Sequence, residues 1–203
     1  MSGDKLVNKF FITGLPRSRT AWLSTFFTGN NCFCYHEILR TSNGVEGAVR
    51  KLLNRKEMYV GNSDSSLPIW MDGIDHILRR SPIVIIERDI NEVTNSLINL
   101  LGEHDYIRLL DLTLENLEII KKRYNYISID YNDLNKQSCL ESIWDFCVPN
   151  IPFDKDKFEI LKTINISINK SLYMRSLFNE DRNEIKQNIE QNIEQLNEYI
   201  NKK

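Results

Sequence analysis

The sequence predicts an α/β fold, three layers deep, with a central and mostly parallel sheet of about five strands between helices. Two observations predict it. Short β-prone apolar runs alternate along the chain with segments of helical period. The run Ile83-Val84-Ile85-Ile86 is unbroken, as expected for a strand buried on both faces of a parallel sheet.

In chain order, residues 6–13 read as the first strand. The tight turn Gly14-Leu15-Pro16 follows, and a helix over 18–27 sets Leu23, Phe26 and Phe27 on one side. Gly29-Asn30-Asn31 stops that helix. Residues 32–35 form a short second strand and run directly into His36-Glu37. Asn43, with Glu46 three residues on, is the expected cap of a helix carrying Val45, Ala48, Val49, Leu52 and Leu53. A third strand is expected over 57–61, a loop over 62–66 and a helix over 71–80. The strand at 83–86 ends in Glu87-Arg88, after which Asp89 and Glu92 cap the next helix. Further helices are expected over 105–122 and 154–162. A fifth strand over 126–129 and a helix ending near Cys147 lie between them. From about residue 180 the chain is charged and amide-rich, with Ile185, Ile189, Ile193, Leu196 and Ile200 in one narrow stripe. Such a stripe serves either a short coiled-coil seam or packing on its own domain. The expected organisation is one domain over 1–178 and an amphipathic C-terminal helix over 179–203.

Composition narrows the function classes. The 203 residues are 41% hydrophobic and 27% charged, with a formal net charge of −2. That balance argues against bulk electrostatic binding of nucleic acid, so any positive charge that matters is local. No apolar run approaches the roughly 20 residues of a membrane span. The N-terminus lacks a signal-peptide pattern. Cys32, Cys34, Cys139 and Cys147 have neither zinc-ribbon nor disulfide-scaffold spacing. They read as reduced packing residues of a cytoplasmic protein without a metal.

The chemistry gathers at strand ends. The Gly14 to Thr20 turn, His36-Glu37, the 62–66 segment and Arg88 each follow a strand directly. If the strands are parallel, all four meet at one edge, where ligands of such sheets bind. The first of them, Gly14-Leu15-Pro16-Arg17-Ser18-Arg19-Thr20, couples a helix start to two guanidinium groups and two hydroxyls. Free helix-terminal amides and arginines together make a phosphate cradle. It is not a Walker A loop: counted from Gly14, the required Gly falls on Arg19 and the required Lys on Thr20. The dinucleotide fingerprint G-x-G-x-x-G is absent as well. What remains is an anion cradle with a second cation, Arg88, at a neighbouring strand end.

These residues carry a resemblance. Pro16-Arg17-Ser18-Arg19-Thr20-Ala21-Trp22-Leu23 resembles the 5′-phosphosulfate loop of sulfotransferases, P-[KR]-S-G-[ST]-[ST]-[WFL]-L. Arg88 after an apolar strand, with Ser96 eight residues later, resembles the family's 3′-phosphate motif. Asp130-Tyr131-Asn132-Asp133-Leu134 is similar to its Y-E-D-L segment. The matches occur in family order and cover roughly residues 8–165. The resemblance implies a P-loop NTPase-like core and transfer of a sulfuryl group from 3′-phosphoadenosine 5′-phosphosulfate (PAPS) to a hydroxyl or amine, leaving PAP, with no metal. It implies that Arg17 binds the phosphosulfate and stabilises the leaving phosphate. It further assigns Ser18, Thr20 and Ala21 to that phosphate, Trp22 to stacking on adenine, and Arg88 and Ser96 to the 3′-phosphate. The acceptor would be a small molecule or glycan.

Three departures accompany the resemblance. Arg19 stands where the family has Gly and would add a third cation to the nucleotide site. Ser63-Asp64 stands where many members keep a His base, and the glycine-containing nucleotide motif near the family's C-terminus is missing. The base is then expected from Glu37 first, His36 second and Asp64 third. Because successive residues of an extended chain point apart, only one of His36 and Glu37 is expected to face the site. Two other readings stay open: a nucleotide or small-molecule kinase with a degenerate loop, and a non-catalytic nucleotide-binding protein that assembles into homo-oligomers through the C-terminal helix.

Overall fold

A computed structural model describes residues 8–102 and 106–163. The chain alternates strands and helices: β1 (Asn8–Gly14), α1 (Thr20–Phe27), β2 (Cys32–His36), α2 (Ile38–Thr41), α3 (Gly44–Asn54), β3 (Tyr59–Ser63), α4 (Leu67–Trp70), α5 (Asp75–Leu78) and β4 (Ile83–Glu87). It continues through α6 (Ile90–Leu101), α7 (Ile107–Arg123), β5 (Tyr126–Asp130), α8 (Gln137–Cys147) and α9 (Lys155–Thr163). The five strands form one sheet in the order β2-β3-β1-β4-β5, and every pairing is parallel.

Central position explains the apolar runs. Phe10, Phe11 and Ile12 of β1 and Ile83 to Ile86 of β4 are buried on both faces. One face packs Phe11, Val60, Ile83 and Ile85 against α3, α6 and α7; the other packs Phe10, Ile12, Val84 and Ile86 against α1, α8 and α9. Alternation along β1 and β4 therefore divides one apolar strand between two cores. The second core is aromatic, with Phe26 and Phe27 of α1 edge-on and stacked against Trp144 of α8. Cys32, Cys34 and Cys147 are buried free thiols within it. Gly61 of β3 is required because a Cβ there would overlap the ring of Phe10.

Several elements differ from expectation. The third strand runs two residues further, through Asn62 and Ser63, so the polar segment begins inside the sheet. The helix expected over 71–80 is instead α4, a 3-10 turn (Met71–Ile74) and α5. Pro68 fits the first turn of α4, and the interrupted period through Gly73 keeps the pieces short. Asn43 makes no capping hydrogen bond; its backbone leads into Gly44, whose N–H closes on the Ser42 carbonyl at 2.9 Å. Asp89 does cap α6, accepting from the Asn91 and Glu92 amides at 2.9 and 3.1 Å. The expected C-terminal helix over 179–203 and the boundary at 178 lie outside the described residues. No described helix is long and apolar enough to cross a membrane.

Helix α9 docks on α1 through Phe158, Leu161 and Lys157, the last only 7% exposed. The Lys157 ammonium donates to the Thr28 carbonyl, and burial lowers its pKa from 10.5 to about 8. Below the lowered value both folded and unfolded chains carry this proton, and the fold bears the cost of a buried charge. Between about 8 and 10.5 the unfolded chain binds more protons, so stability rises with pH across that window. Relative to Lys157→Met, denaturant unfolding at fixed ionic strength is expected to show a gain on the order of 3 kcal/mol over this range. A difference that stays flat would contradict the assignment.

Candidate functional site

The parallel sheet brings the four polar segments to one edge. The Asp64 N–H bonds the Ile12 carbonyl at 2.8 Å, the Glu37 N–H bonds the Ser63 carbonyl at 3.1 Å, and Arg88 donates to the Arg17 carbonyl. The centre is the turn between β1 and α1. Gly14 sits so close to β4 that a Cβ would collide with the Ile86 carbonyl. Arg17 and Arg19 both adopt left-handed backbone, with φ of 68° and 61°. Each costs on the order of 1 kcal/mol for a residue with a Cβ, and such strain concentrates at functional sites. Left-handed residues in a turn of this kind make successive amides converge into a concave anion seat.

The polar groups of the turn fit that description. The amides of Arg17, Arg19, Thr20, Ala21 and Trp22 have no hydrogen-bond acceptor among the described residues. The Ser18 hydroxyl is fully buried and also has no partner among them. A buried unpaired hydroxyl is costly unless something else satisfies it. An oxyanion is the kind of ligand that accepts from such donors, and the N-terminus of α1 adds its partial positive charge.

The β4 side supplies the second cation. The Arg88 guanidinium lies 4.0 Å from the centroid of the Tyr131 ring and pairs with Glu92 at 3.3 Å. Its backbone contact to Arg17 links the two motifs directly. The Arg17 Nε donates to the Ser96 hydroxyl at 3.1 Å. Arg17, Arg88, Glu92, Asn95, Ser96 and Asn99 line a cleft of ≈ 460 Å³. Tyr131 belongs to the 3-10 turn Tyr131–Asn135, which Asp130 caps through the Asn132 amide at 2.8 Å.

The three base candidates separate by geometry. Asp64 is fully buried and holds backbone: its carboxylate accepts from the Leu39 and Ser66 amides at 3.0 and 2.8 Å, the Ser66 hydroxyl at 2.6 Å and Asn62 at 3.3 Å. It braces the loop after β3 and faces no solvent. His36 and Glu37 do not point apart. Glu37 has φ of 51°, which ends the extended run and swings its carboxylate back. His36 Nε2 then lies 3.9 Å from Glu37 Oε1 and 3.3 Å from the Thr20 hydroxyl. The other Glu37 oxygen is taken by Arg40 at 2.7 Å.

Two further expectations meet a different arrangement. Trp22 is 6% exposed, stacks on Phe26 with centroids 5.5 Å apart, and donates its indole N–H to the Leu161 carbonyl at 3.0 Å. Both the face and the donor of that side chain serve the core, which leaves no open ring for an adenine. Arg19 turns its guanidinium to Asn135, Nη1 to Oδ1 at 2.7 Å. Sequence reasoning missed Tyr131 as a partner of Arg88, although its segment was in view, and it missed Arg40 and Asn135 entirely.

No protein-family model matches the chain, and no curated protein sequence matches it. Solved structures do resemble it. Mouse sulfotransferase SULT7A1 complexed with PAP aligns with a TM-score of 0.52 at 15% identity, over 80% of this chain and 69% of that one. Shikimate kinase from Bacteroides thetaiotaomicron aligns with a TM-score of 0.42 at 18% identity, over 66% of this chain and 92% of that one. The first likeness concerns the fold, and with the all-parallel five-stranded sheet it shows a P-loop NTPase-like α/β/α architecture.

Proposed function

We propose that this protein is a nucleotide-dependent transferase that takes PAPS as donor and passes its sulfuryl group to a hydroxyl or amine of a small-molecule or glycan acceptor. The observation that carries this reading is the pairing of the amide-lined turn with Arg88. The turn suits one phosphate, and Arg88, held against Tyr131 and the Arg17 carbonyl, stands ready for another. A nucleotide phosphorylated at 5′ and 3′ carries two separate phosphates, and a protein with this fold has been crystallised with PAP.

Bound PAPS would supply an activated sulfuryl group at the 5′ end. The turn amides and the Ser18 hydroxyl would hold the 5′-phosphosulfate, with Arg17 neutralising charge on the departing phosphate oxygen. Arg88 and Ser96 would hold the 3′-phosphate. Positioning and charge stabilisation of this kind provide most of the catalysis in group transfer between oxygens. Of the base candidates, His36 is the one in contact with the cradle, through Thr20. Glu37, anchored by Arg40, lies beside the imidazole at 3.9 Å and would help to fix where it stands.

Calorimetry with 3′,5′-ADP, 5′-ADP and ATP–Mg²⁺ tests the donor. The expected order places 3′,5′-ADP ahead of 5′-ADP by roughly 10- to 100-fold, a margin that Arg88→Ala largely removes. Tightest binding of ATP–Mg²⁺ would overturn the reading in favour of a kinase. Once an acceptor is found, His36→Asn is expected to lower the transfer rate by about 10²- to 10⁴-fold while donor affinity stays within a few fold. Full activity in that variant would remove His36 from the mechanism.

A further inference from the structure

Arg19 occupies a position where its side chain has a choice. It could reach into the anion seat, or it could leave. Here it leaves: Nη1 donates to Asn135 Oδ1 at 2.7 Å, and the guanidinium carbon lies 5.7 Å from the ring centroids of both Tyr131 and Trp22. Asn135 is the last residue of the 3-10 turn whose first residue, Tyr131, carries Arg88. Arg88 in turn donates to the carbonyl of Arg17, two residues before Arg19. The contacts close a circuit: loop to Arg88, Arg88 to Tyr131, along the turn to Asn135, and through Arg19 back to the loop.

We infer that Arg19 is a positioning residue that ties the 3-10 turn Tyr131–Asn135 to the β1–α1 loop and so fixes Arg88 relative to the anion seat. The rest of the turn is suited to being held at one end. Leu134 is its only fully buried member, while Asn132 and Asn135 are exposed. Its other hydrogen bonds are local, Asp130 to the Asn132 amide and Lys136 back to the Asp133 carbonyl at 2.9 Å. Neither of these connects the turn to the loop. The contacts that do are Arg19 to Asn135 and the two arginines against Tyr131. An arginine can serve here because its planar fork keeps a donor in fixed direction while its face lies near an aromatic ring. The φ of 61° at Arg19 would suit glycine without strain, so the side chain is kept there against the backbone preference.

The inference rests on the proposed donor site only in its effect on nucleotide affinity, and a ligand-free measurement separates the two. Arg19→Gly, Asn135→Ala and the double variant are compared by amide hydrogen exchange at Asn132 and Lys136, and by calorimetry with 3′,5′-ADP. Arg19→Gly is expected to fold with an unchanged or higher Tm, because glycine accepts the left-handed backbone. Both single variants are expected to exchange roughly tenfold faster at these amides, and the double variant no faster than either, since one tether is lost only once. Affinity for 3′,5′-ADP is expected to fall several-fold in each single variant, again without addition in the double. Unchanged exchange in both single variants would overturn the tether. Faster exchange with unchanged affinity would overturn its role in placing Arg88. Loss of affinity in Arg19→Gly alone, with Asn135→Ala like wild type, would make Arg19 a direct phosphate ligand instead. If even the wild type fails to bind 3′,5′-ADP, the donor proposal falls while the exchange data still decide the tether.

Discussion

The amides at the start of α1 have no protein acceptor among the described residues, and the neighbourhood is arranged around that shortfall. A helix N-terminus always leaves amides over, and surface helices give them to capping side chains or water. Here neither Arg19 nor any neighbour caps the helix with a side chain. The turn instead accepts two left-handed arginines and buries an unpaired serine hydroxyl. Those costs fall together at one strand end, which is the arrangement the proposed donor site draws on.

The parallel sheet makes the site possible because it delivers every strand end to the same side. Register does the rest. His36 lies opposite Ser63, and Ser63 opposite Ile12, so β2 and β3 end together, two residues before β1 gives way to the turn. Buried Asp64 then organises the loop after β3 and the start of α2 through backbone amides, which fixes where Glu37 and His36 stand. On the other side, β4 ends one residue before Arg88. There the face of Tyr131 holds the Arg88 guanidinium on one side while the Glu92 carboxylate pairs with it at 3.3 Å. Arg88 is thus in contact on several sides, with the ring of Tyr131, the Glu92 carboxylate and the Arg17 carbonyl.

Much of this was legible in the sequence, for identifiable reasons. An unbroken apolar run has few meanings, so β4 and the parallel sheet could be read directly. The polar turn after β1 could be read because its glycine, hydroxyls and arginines fall next to each other. The cap at Asp89 could be read because it is local. What stayed hidden depended on contacts or on single dihedrals. Trp22 has the same helical spacing whether it lines the core or a ligand, and only α9 packing on it decides. The rule that neighbours in a strand point apart failed at His36 and Glu37 because one residue left the extended region. Arg19 and Asn135 are 116 positions apart, and no periodicity connects them.

The central claim is that two separate cationic seats hold two phosphates of one ligand. Phosphorus NMR of bound 3′,5′-ADP addresses it directly, because the two phosphates give distinct resonances. The account predicts that both shift on binding, that Arg88→Ala returns the 3′ resonance toward its free position, and that the 5′ resonance keeps its bound shift. If Arg88→Ala perturbs both resonances alike, or if only one phosphate ever shifts in the wild type, the two-seat account is wrong.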